Sequence, residues 1–176
     1  PTCIAISGQD GQDYTFGTLG NISLIIGQAK QRKTFATTCI VASAIQNSLV
    51  IDQIRGNLPE DKKQILYFDT EQSLYHVQKV LRRILKLSES ESIPDNILVF
   101  ALRKYTPLER RDLIETALSH YKNIGLVVID GIRDLVNSIN SEEESTLISS
   151  NLLRWSQDLD CHVLSILHQN KGNGHA

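Results

Sequence analysis

The stretch Ile25–Phe35, IIGQAKQRKTF, decides how this chain folds. An apolar, β-branched run ends at Gly27, and a segment long enough for a helix begins at Lys33. Gly27, Lys33 and Thr34 have the spacing of the pattern G-x-x-x-x-G-K-[ST], in which backbone N–H groups and a helix start surround a phosphate. Arg32 stands where that pattern has its second glycine. The stretch predicts a strand, a phosphate-binding loop and a helix, with one departure from the pattern.

The chemistry of such a loop assigns a task to each of its residues. Lys33 is expected to reach the β- and γ-phosphates of a nucleotide, and Thr34 to ligate Mg²⁺ through its hydroxyl. The residues expected to contact the nucleotide are Gly27, Gln28, Ala29, Lys30, Gln31, Arg32, Lys33, Thr34 and Phe35. An arginine at positive φ would cost roughly 1–2 kcal/mol, so we expect Arg32 to turn outward or toward a partner subunit. Taken alone, this stretch is equally compatible with a second interpretation, a basic helix start that binds no ligand.

Apolar runs and helical segments alternate along the rest of the chain. The predicted strands are 22–27, 64–70, 96–102, 125–130 and 161–167. The predicted helices are 33–47, 73–87, 107–121 and 141–159, the last with Ser141 as N-cap and Glu144 completing a capping box. Because the strands are apolar throughout, the pattern predicts an α/β fold with a mainly parallel central sheet and helices on both faces.

The two ends of the chain are less regular. Residues 1–20 are rich in Gly, Asp and Gln, and they predict an N-terminal extension with one edge strand at 3–7 and turns. The chain stops soon after the fifth predicted strand, and it contains no methionine. We expect residues 1–176 to form a single domain of a longer protein, with further C-terminal strands missing.

Polar residues follow the predicted strands where a parallel sheet binds its ligands. Asp130 ends an apolar strand and is expected to hold Mg²⁺ through water. Glu71 lies two residues past a strand end, where a carboxylate can orient and deprotonate a water. His168 and Gln169 are expected to contact the γ-phosphate. Asp134 is either a second polar contact or a charge on a helix face. Each signal alone has an ordinary structural explanation, but their order along one sheet favours a nucleotide site.

The overall composition sets limits on the class of protein. The formal net charge is −2, so no global basic field promotes non-specific nucleic-acid binding, although local basic patches remain. Cys3, Cys39 and Cys161 lie far apart and predict reduced, buried thiols in a cytoplasmic protein. No apolar run reaches the ~18 residues of a membrane span, so we expect no membrane association.

With these motifs in place, Gly20–Lys171 resembles a RecA-type P-loop ATPase, in particular the RepA/DnaB branch of hexameric helicase-like ATPases. The most specific element, YFDTEQS, is similar to the strand-then-Glu signature that separates RecA-type ATPases from AAA+ proteins, whose catalytic acid usually adjoins Walker B. The whole pattern also resembles ATPases carried on bacterial mobile elements. Arg32 departs from the family and puts the backbone geometry of the loop in doubt.

This resemblance implies a site, cofactors and partners. Lys33 and Thr34 would form Walker A, Asp130 Walker B, and Glu71 the water-activating base, with ATP and Mg²⁺ bound. His168 or Gln169 would sense the γ-phosphate and couple it to DNA that is single-stranded and not read by sequence. A hexameric ring or filament is implied, in which a neighbouring subunit supplies a cation. The candidates for that cation are Arg103, Lys104, Arg110 and Arg111.

Two other functions remain open. A non-hydrolysing nucleotide-binding assembly module would explain Arg32 as a sign of a degenerate loop. A small-molecule kinase or GTPase is the third hypothesis, since Asn170–Asn173, NKGN, is similar to the guanine-reading N-K-x-D except at its last residue.

Overall fold

The computed structural model describes residues 1–28, 33–137 and 142–169, apart from the side chains of Gln28 and Gln169. The strands of this part of the chain are β1 (Thr2–Ser7), β2 (Asp13–Thr18), β3 (Ile22–Gln28), β4 (Leu49–Val50), β5 (Ile54–Gly56), β6 (Gln64–Asp69), β7 (Ile97–Ala101), β8 (Ile124–Asp130) and β9 (His162–Gln169). The helices are α1 (Lys33–Gln46), α2 (Leu74–Leu87), α3 (Pro107–His120) and α4 (Glu142–Asp158), with 3-10 turns at Glu60–Lys62 and Ile132–Leu135.

A five-stranded parallel sheet forms the centre of the fold. Its strand order is β3-β9-β8-β6-β7, and each neighbouring pair runs parallel. All five strands were predicted from their apolar runs, and the α/β class with a mainly parallel sheet is confirmed. The register aligns Gly27 with His168 and Asp69 with Asp130, so four strands end at one edge of the sheet.

Helices cover both faces of this sheet because successive residues of a strand point to opposite sides. Ile65 and Tyr67 of β6 pack into one apolar cluster with α1, α2 and residues of β1. Leu66 and Phe68 pack into a second cluster with α3 and α4 on the other side. This alternation continues in β8 and β9, and it confirms the predicted helices on both faces.

The N-terminal residues form a sheet of their own instead of a strand with turns. Its order is β2-β1-β5-β4, and its paired strands are antiparallel. The predicted strand at 3–7 is therefore an interior strand, flanked by β2 and β5, and not an edge strand. Asp13–Thr18, which was expected to form turns, pairs with β1. Cys3 and Ile4 of β1 are fully buried in the cluster with α1, which joins this sheet to the main core.

Local signals explain where three helices start or stop. Asn47 ends α1 at φ 51°, and its side chain exchanges two hydrogen bonds of 2.7 Å with the backbone of Leu58. Thr106 and Glu109 form a capping box at the start of α3, with a proline in the first turn. The predicted N-cap of α4, Ser141, lies outside the described residues. Glu144 accepts hydrogen bonds from the backbone and side chain of Asn137, at 2.7 and 2.9 Å, and the predicted capping box stays a prediction.

The three cysteines are buried free thiols, as predicted. Burial raises the pKa of Cys3 and of Cys161 to about 12, so both are held as unreactive thiols. Among the helices described, none is long and apolar enough to cross a membrane.

A tight contact between β5 and α1 generates a test of the fold. A Cβ on Gly56 would lie 2.1 Å from the carbonyl oxygen of Ser43, a backbone atom that has little room to move. We expect Gly56→Ala to lower the free energy of unfolding by about 3 kcal/mol, measured by urea denaturation. Gly11→Ala is the control, because a Cβ there meets nothing within 4 Å and only the positive φ of 78° opposes it. Equal losses for both variants would contradict the contact.

Candidate functional site

The candidate site lies where β3, β6, β8 and β9 end. Parallel pairing brings the last residues of these strands to one edge of the sheet, as the sequence predicted. The structure gathers Glu71, Asp130 and His168 there, and Lys33 begins α1 after the loop that follows β3. Four residues chosen from separate motifs therefore share one side of the molecule.

Among the described residues, Asp130 is one of two buried carboxylates at this edge, the other being Asp69. Asp130 is 1% exposed, and both of its carboxylate oxygens have partners. The hydroxyl of Tyr67 donates to Oδ2 at 2.8 Å, and Nε2 of His168 lies 2.9 Å from Oδ1. Burial, followed by the charge of Asp130, raises the pKa of Tyr67 well above its usual value, so Tyr67 remains a donor. These two contacts fix the carboxylate in one orientation.

His168 lies between two carboxylates. Its Nε2 is 3.1 Å from Oε2 of Glu71 as well as 2.9 Å from Oδ1 of Asp130. A carboxylate only accepts hydrogen bonds, so this nitrogen must carry a hydrogen. The hydrogen bond to Asp130 raises the pKa of His168, burial opposes the rise, and the charge of Glu71 adds to it. The imidazole therefore links the exposed Glu71 to the buried Asp130.

Asp69 shapes the turn that carries Glu71. Its Oδ1 accepts from the backbone N–H groups of Glu71 and Gln72 at 3.1 and 2.8 Å, and its Oδ2 accepts from the Gln72 side chain at 3.0 Å. Asp69 is fully buried, and this burial raises its pKa to about 6 against the opposing effect of the Gln72 N–H. Asp69 thus positions Glu71 through the backbone.

Thr70 joins the ends of β6 and β8. Its hydroxyl lies 2.8 Å from the carbonyl oxygen of Gly131 and 3.1 Å from Oδ2 of Asp134. Gly131 has φ 99°, and a Cβ on it would come within 2.3 Å of that hydroxyl, so glycine is required here. Asp134 thus contacts Thr70 within the chain, and its two sequence interpretations stay predictions. The turns after β6 and β8 are held together by these contacts.

Lys33 is only 6% exposed, and its Nζ donates to the carbonyl oxygen of Gly27 at 2.5 Å. The ammonium group therefore lies against the end of β3, on the side from which the predicted loop departs. Thr34 is half-buried and Phe35 is 39% exposed at the start of α1. The other predicted contacts of this region lie outside the description: residues 29–32 entirely, and the side chain of Gln28.

The side chain of Gln169 and the stretch Asn170–Asn173, NKGN, also lie outside the described residues. The backbone of Gln169 pairs with Gln28 in the register of β3 and β9. The geometry of Arg32 and the roles of Gln169 and Asn170–Asn173 remain predictions.

A cavity of about 320 Å³ opens beside these groups, lined by Glu71, Gly131, Arg133, Asp134 and His168. The described lining contains one guanidinium, one imidazole and two carboxylates, so the cavity is polar and carries both signs of charge. A small, charged reactant surrounded by water suits such a space better than an apolar ligand.

Arg110, a candidate for a contact to a neighbouring subunit, is used within the chain. Its guanidinium donates to the carbonyl oxygens of Asp134, Arg103 and Leu102, at 2.7, 2.8 and 3.1 Å. These bonds tie the loop after β7 to the turn after β8. Arg110 is thereby less suited to reach another subunit than Arg103 and Lys104, which are exposed.

The sequence reasoning missed two residues of the site, Tyr67 and Asp69. Both lie in β6, which was predicted as a strand, and neither was given a role in the site. A signal existed for Tyr67, because a buried tyrosine hydroxyl needs a hydrogen-bond partner, and Asp130 supplies it. For Asp69, the signal was a carboxylate two residues before Glu71 at the strand end.

The fold and the site together define a P-loop nucleotide-binding domain with a RecA-like parallel sheet. The family model AAA_25, described as an AAA domain, matches residues 14–174. Since this match covers most of the chain, the protein belongs to that family. A search of curated proteins found no match.

The residues present fit a nucleotide and its metal ion. The buried ammonium of Lys33 at a helix start is a donor set for phosphate. Each oxygen of Asp130 keeps a second lone pair beside its present partner, so it can still accept from metal-bound water. The part of the chain that the structure describes contains no group of three His, Cys, Asp or Glu side chains arranged to hold a metal. That finding is compatible with Mg²⁺, which keeps several waters and takes few protein ligands.

The raised pKa of Asp69 predicts a pH dependence of stability. The folded protein binds the Asp69 proton more tightly than the unfolded chain, whose value is 3.8, so the contribution is lost as the pH rises from about 4 to above 6. Between pH 4 and pH 8, we expect Asp69→Asn to gain stability relative to wild type by up to about 3 kcal/mol. Urea denaturation across this range measures the difference, with the exposed Asp95→Asn as control. A constant difference between wild type and Asp69→Asn would refute the shift.

Proposed function

We propose that this protein is an ATP-hydrolysing, DNA-associated motor or loader of the RecA-like type, similar to the RepA/DnaB branch. The observation that carries the proposal is the position of Glu71, whose half-exposed carboxylate contacts His168, which in turn contacts the buried Asp130. In AAA+ proteins the catalytic acid usually adjoins the Walker B residue, but here Gly131 follows Asp130. Glu71 is therefore the acid best placed to act on water at this edge. This arrangement favours hydrolysis over a binding module that has lost catalysis.

Binding of ATP is assigned to the start of α1. Lys33 would exchange the Gly27 carbonyl for phosphate oxygens, and the N–H groups of the first helical turn would donate to the same oxygens. Thr34 and Asp130 would hold Mg²⁺, which supplies charge neutralisation on the phosphates. The sequence keeps Lys33, Thr34 and Asp130 although Arg32 departs from the pattern, so the variant loop retains the side chains that we expect to bind.

Proton transfer is assigned to Glu71. Its carboxylate would orient a water and accept its proton during attack on the terminal phosphate. The turn that carries Glu71 is held by the two backbone bonds to Asp69, and its side chain is held toward Asp130 by His168. His168 thereby acts as a positioning residue for Glu71. Because it lies near the end of β9, it would also transmit a change at the phosphate to the residues that follow.

Assembly into a ring or filament would complete the site with a cation from a neighbouring subunit. Arg103 and Lys104 support this part of the proposal, because they are exposed after β7 and line a cavity of about 500 Å³ beside Leu74. Leu74 is 63% exposed, which is typical of an apolar residue at a protein contact when charged groups surround it.

Replacing Glu71 by Gln tests the enzymatic proposal. The amide keeps the shape but cannot accept a proton, so we expect kcat for ATP hydrolysis to fall at least about 100-fold while binding of a fluorescent ATP analogue persists. Glu91→Gln, at an exposed carboxylate, is the matched control. Rates are measured by phosphate release with and without single-stranded DNA. If wild type is no faster than Glu71→Gln in the presence of DNA, the protein is not an ATPase of this kind.

Arg103→Ala tests the assembly. We expect static light scattering to show that wild type forms an oligomer in the presence of ATP. We expect the variant to hydrolyse ATP at least about 100-fold more slowly, because a cation at the terminal phosphate is lost. Mixing Arg103→Ala with Glu71→Gln should restore part of the activity, since each subunit supplies what the other lacks. A strict monomer with and without ATP would contradict shared sites.

A further inference from the structure

The outer face of α2 carries four cations in one row. Lys79, Arg82, Arg83 and Lys86 follow the spacing i, i+3, i+4 and i+7, which places them on one side of a helix, and all four are exposed. We call these four residues the basic stripe. The 14 residues of α2, LYHVQKVLRRILKL, include no Asp or Glu. A chain of net charge −2 thus concentrates four positive charges on one helical face.

This arrangement costs stability in the isolated protein. Like charges three or four residues apart on a helix repel by about 0.2–0.5 kcal/mol per pair, and the stripe contains four such pairs. The ion pairs found among the described residues all lie elsewhere, at Arg55, Lys63, Arg154 and His168. A bound polyanion would turn this repulsion into attraction.

The opposite face of α2 is already occupied. Val77, Val80 and Ile84 are buried, and the last two join the core that α1 and the sheet share. The helix therefore has no free apolar side with which to enter a lipid surface, as an amphipathic membrane helix requires. A rigid row of cations held at fixed spacing suits a flexible polyanion that adapts its own shape to the row.

An aromatic ring extends the stripe toward the candidate site. Tyr75 precedes Lys79 by one turn and is 58% exposed, and the Lys79 ammonium lies 4.5 Å from the centre of its ring. Cations that follow a phosphate backbone, together with an exposed ring on which a base can stack, are the elements of a single-stranded nucleic-acid surface. From Lys79 to Lys86 the helix rises about 10.5 Å, enough to face about three successive phosphates of a stacked strand.

We infer that the basic stripe and Tyr75 form a contact surface for single-stranded nucleic acid, bound through its phosphates and one stacked base. The inference rests on the DNA association proposed above and names the surface that makes it. Tyr75 lies four residues after Glu71, so a strand bound there touches the segment that positions the proposed base. Nucleic acid bound on α2 would therefore act on the segment that carries Glu71 and change the rate of hydrolysis.

The double variant Arg82→Glu, Arg83→Glu tests the surface against the control Lys63→Glu, Lys122→Glu. The control makes the same change of charge next to the starts of β6 and β8, at the opposite edge of the sheet. Fluorescence anisotropy of a labelled 20-nucleotide oligothymidine measures binding by the full chain, and circular dichroism checks folding. We expect Kd to rise at least about 10-fold for the stripe variant only, and the slope of log K against log salt to shrink by about 1.4. Basal ATP hydrolysis without DNA should equal that of wild type.

Tyr75→Ala and Tyr75→Phe separate stacking from charge. We expect Tyr75→Ala to weaken oligothymidine binding by about 5- to 100-fold without changing the salt slope, and Tyr75→Phe to bind as wild type does. Equal weakening by both variants would contradict stacking of a base on the ring.

The outcomes distinguish this inference from the proposed function. If the stripe variant binds oligothymidine as tightly as wild type, the surface is wrong, while DNA-stimulated hydrolysis through Glu71 stands. If the stripe variant loses binding although wild type does not hydrolyse ATP, the surface stands and the enzymatic proposal fails. If wild type binds phosphatidylserine vesicles or polyglutamate through the stripe but not oligothymidine, the inferred occupant is wrong.

Discussion

The buried carboxylate of Asp130 is the group on which the rest of the candidate site depends. A charge at the centre of a parallel sheet is tolerated only when its oxygens are hydrogen-bonded. Tyr67 from β6 and His168 from β9 supply those bonds, one from each strand that flanks β8. The partners of one carboxylate thus connect three neighbouring strand ends. Removing Asp130 would leave a buried hydroxyl and an imidazole without their acceptor, and Glu71 would lose the support that reaches it through His168.

The turns after β6 and β8 depend on the same alignment. The register pairs Asp69 with Asp130, so Thr70 reaches the backbone of Gly131 and the side chain of Asp134. The carboxylate of Asp69 accepts a hydrogen bond from the backbone N–H of Glu71, and His168 of β9 contacts the Glu71 side chain. Glu71 is therefore fixed at two points while half of its side chain faces water. A proton acceptor needs this combination of fixed position and access to solvent.

The sequence predicted which polar residues lie at the ends of the strands, but it did not predict the contacts between them. Apolar runs that end in Gly27, Asp130 and Leu167 predicted the parallel sheet, because strands buried on both faces carry few polar residues. The hydrogen bond from Tyr67 to Asp130 depends on strand order, which spacing along one chain does not determine. The bonds of Asp69 are local, to Glu71 and Gln72, and spacing alone did not show that its carboxylate turns back to their N–H groups. The sheet formed by β1, β2, β4 and β5 was missed because β4 and β5 have only two and three residues. The alternation of Tyr14 and Phe16 in the second strand, DYTFGT, was a strand signal that was not used.

The packing of α1 against α2 connects the start of α1, where phosphate binding is proposed, with the basic stripe on α2. Both helices contribute to a single apolar cluster, with Ile40 and Ala44 of α1 beside Val80 and Ile84 of α2. Close-packed interiors transmit small shifts because they contain little free volume. Any movement of α1 at its start, where we propose that phosphate binds, is therefore transmitted to α2, which begins just after the turn of Glu71. A ligand on either helix would change the free energy of the same interface, so this shared core gives the two proposed binding events a physical means of coupling.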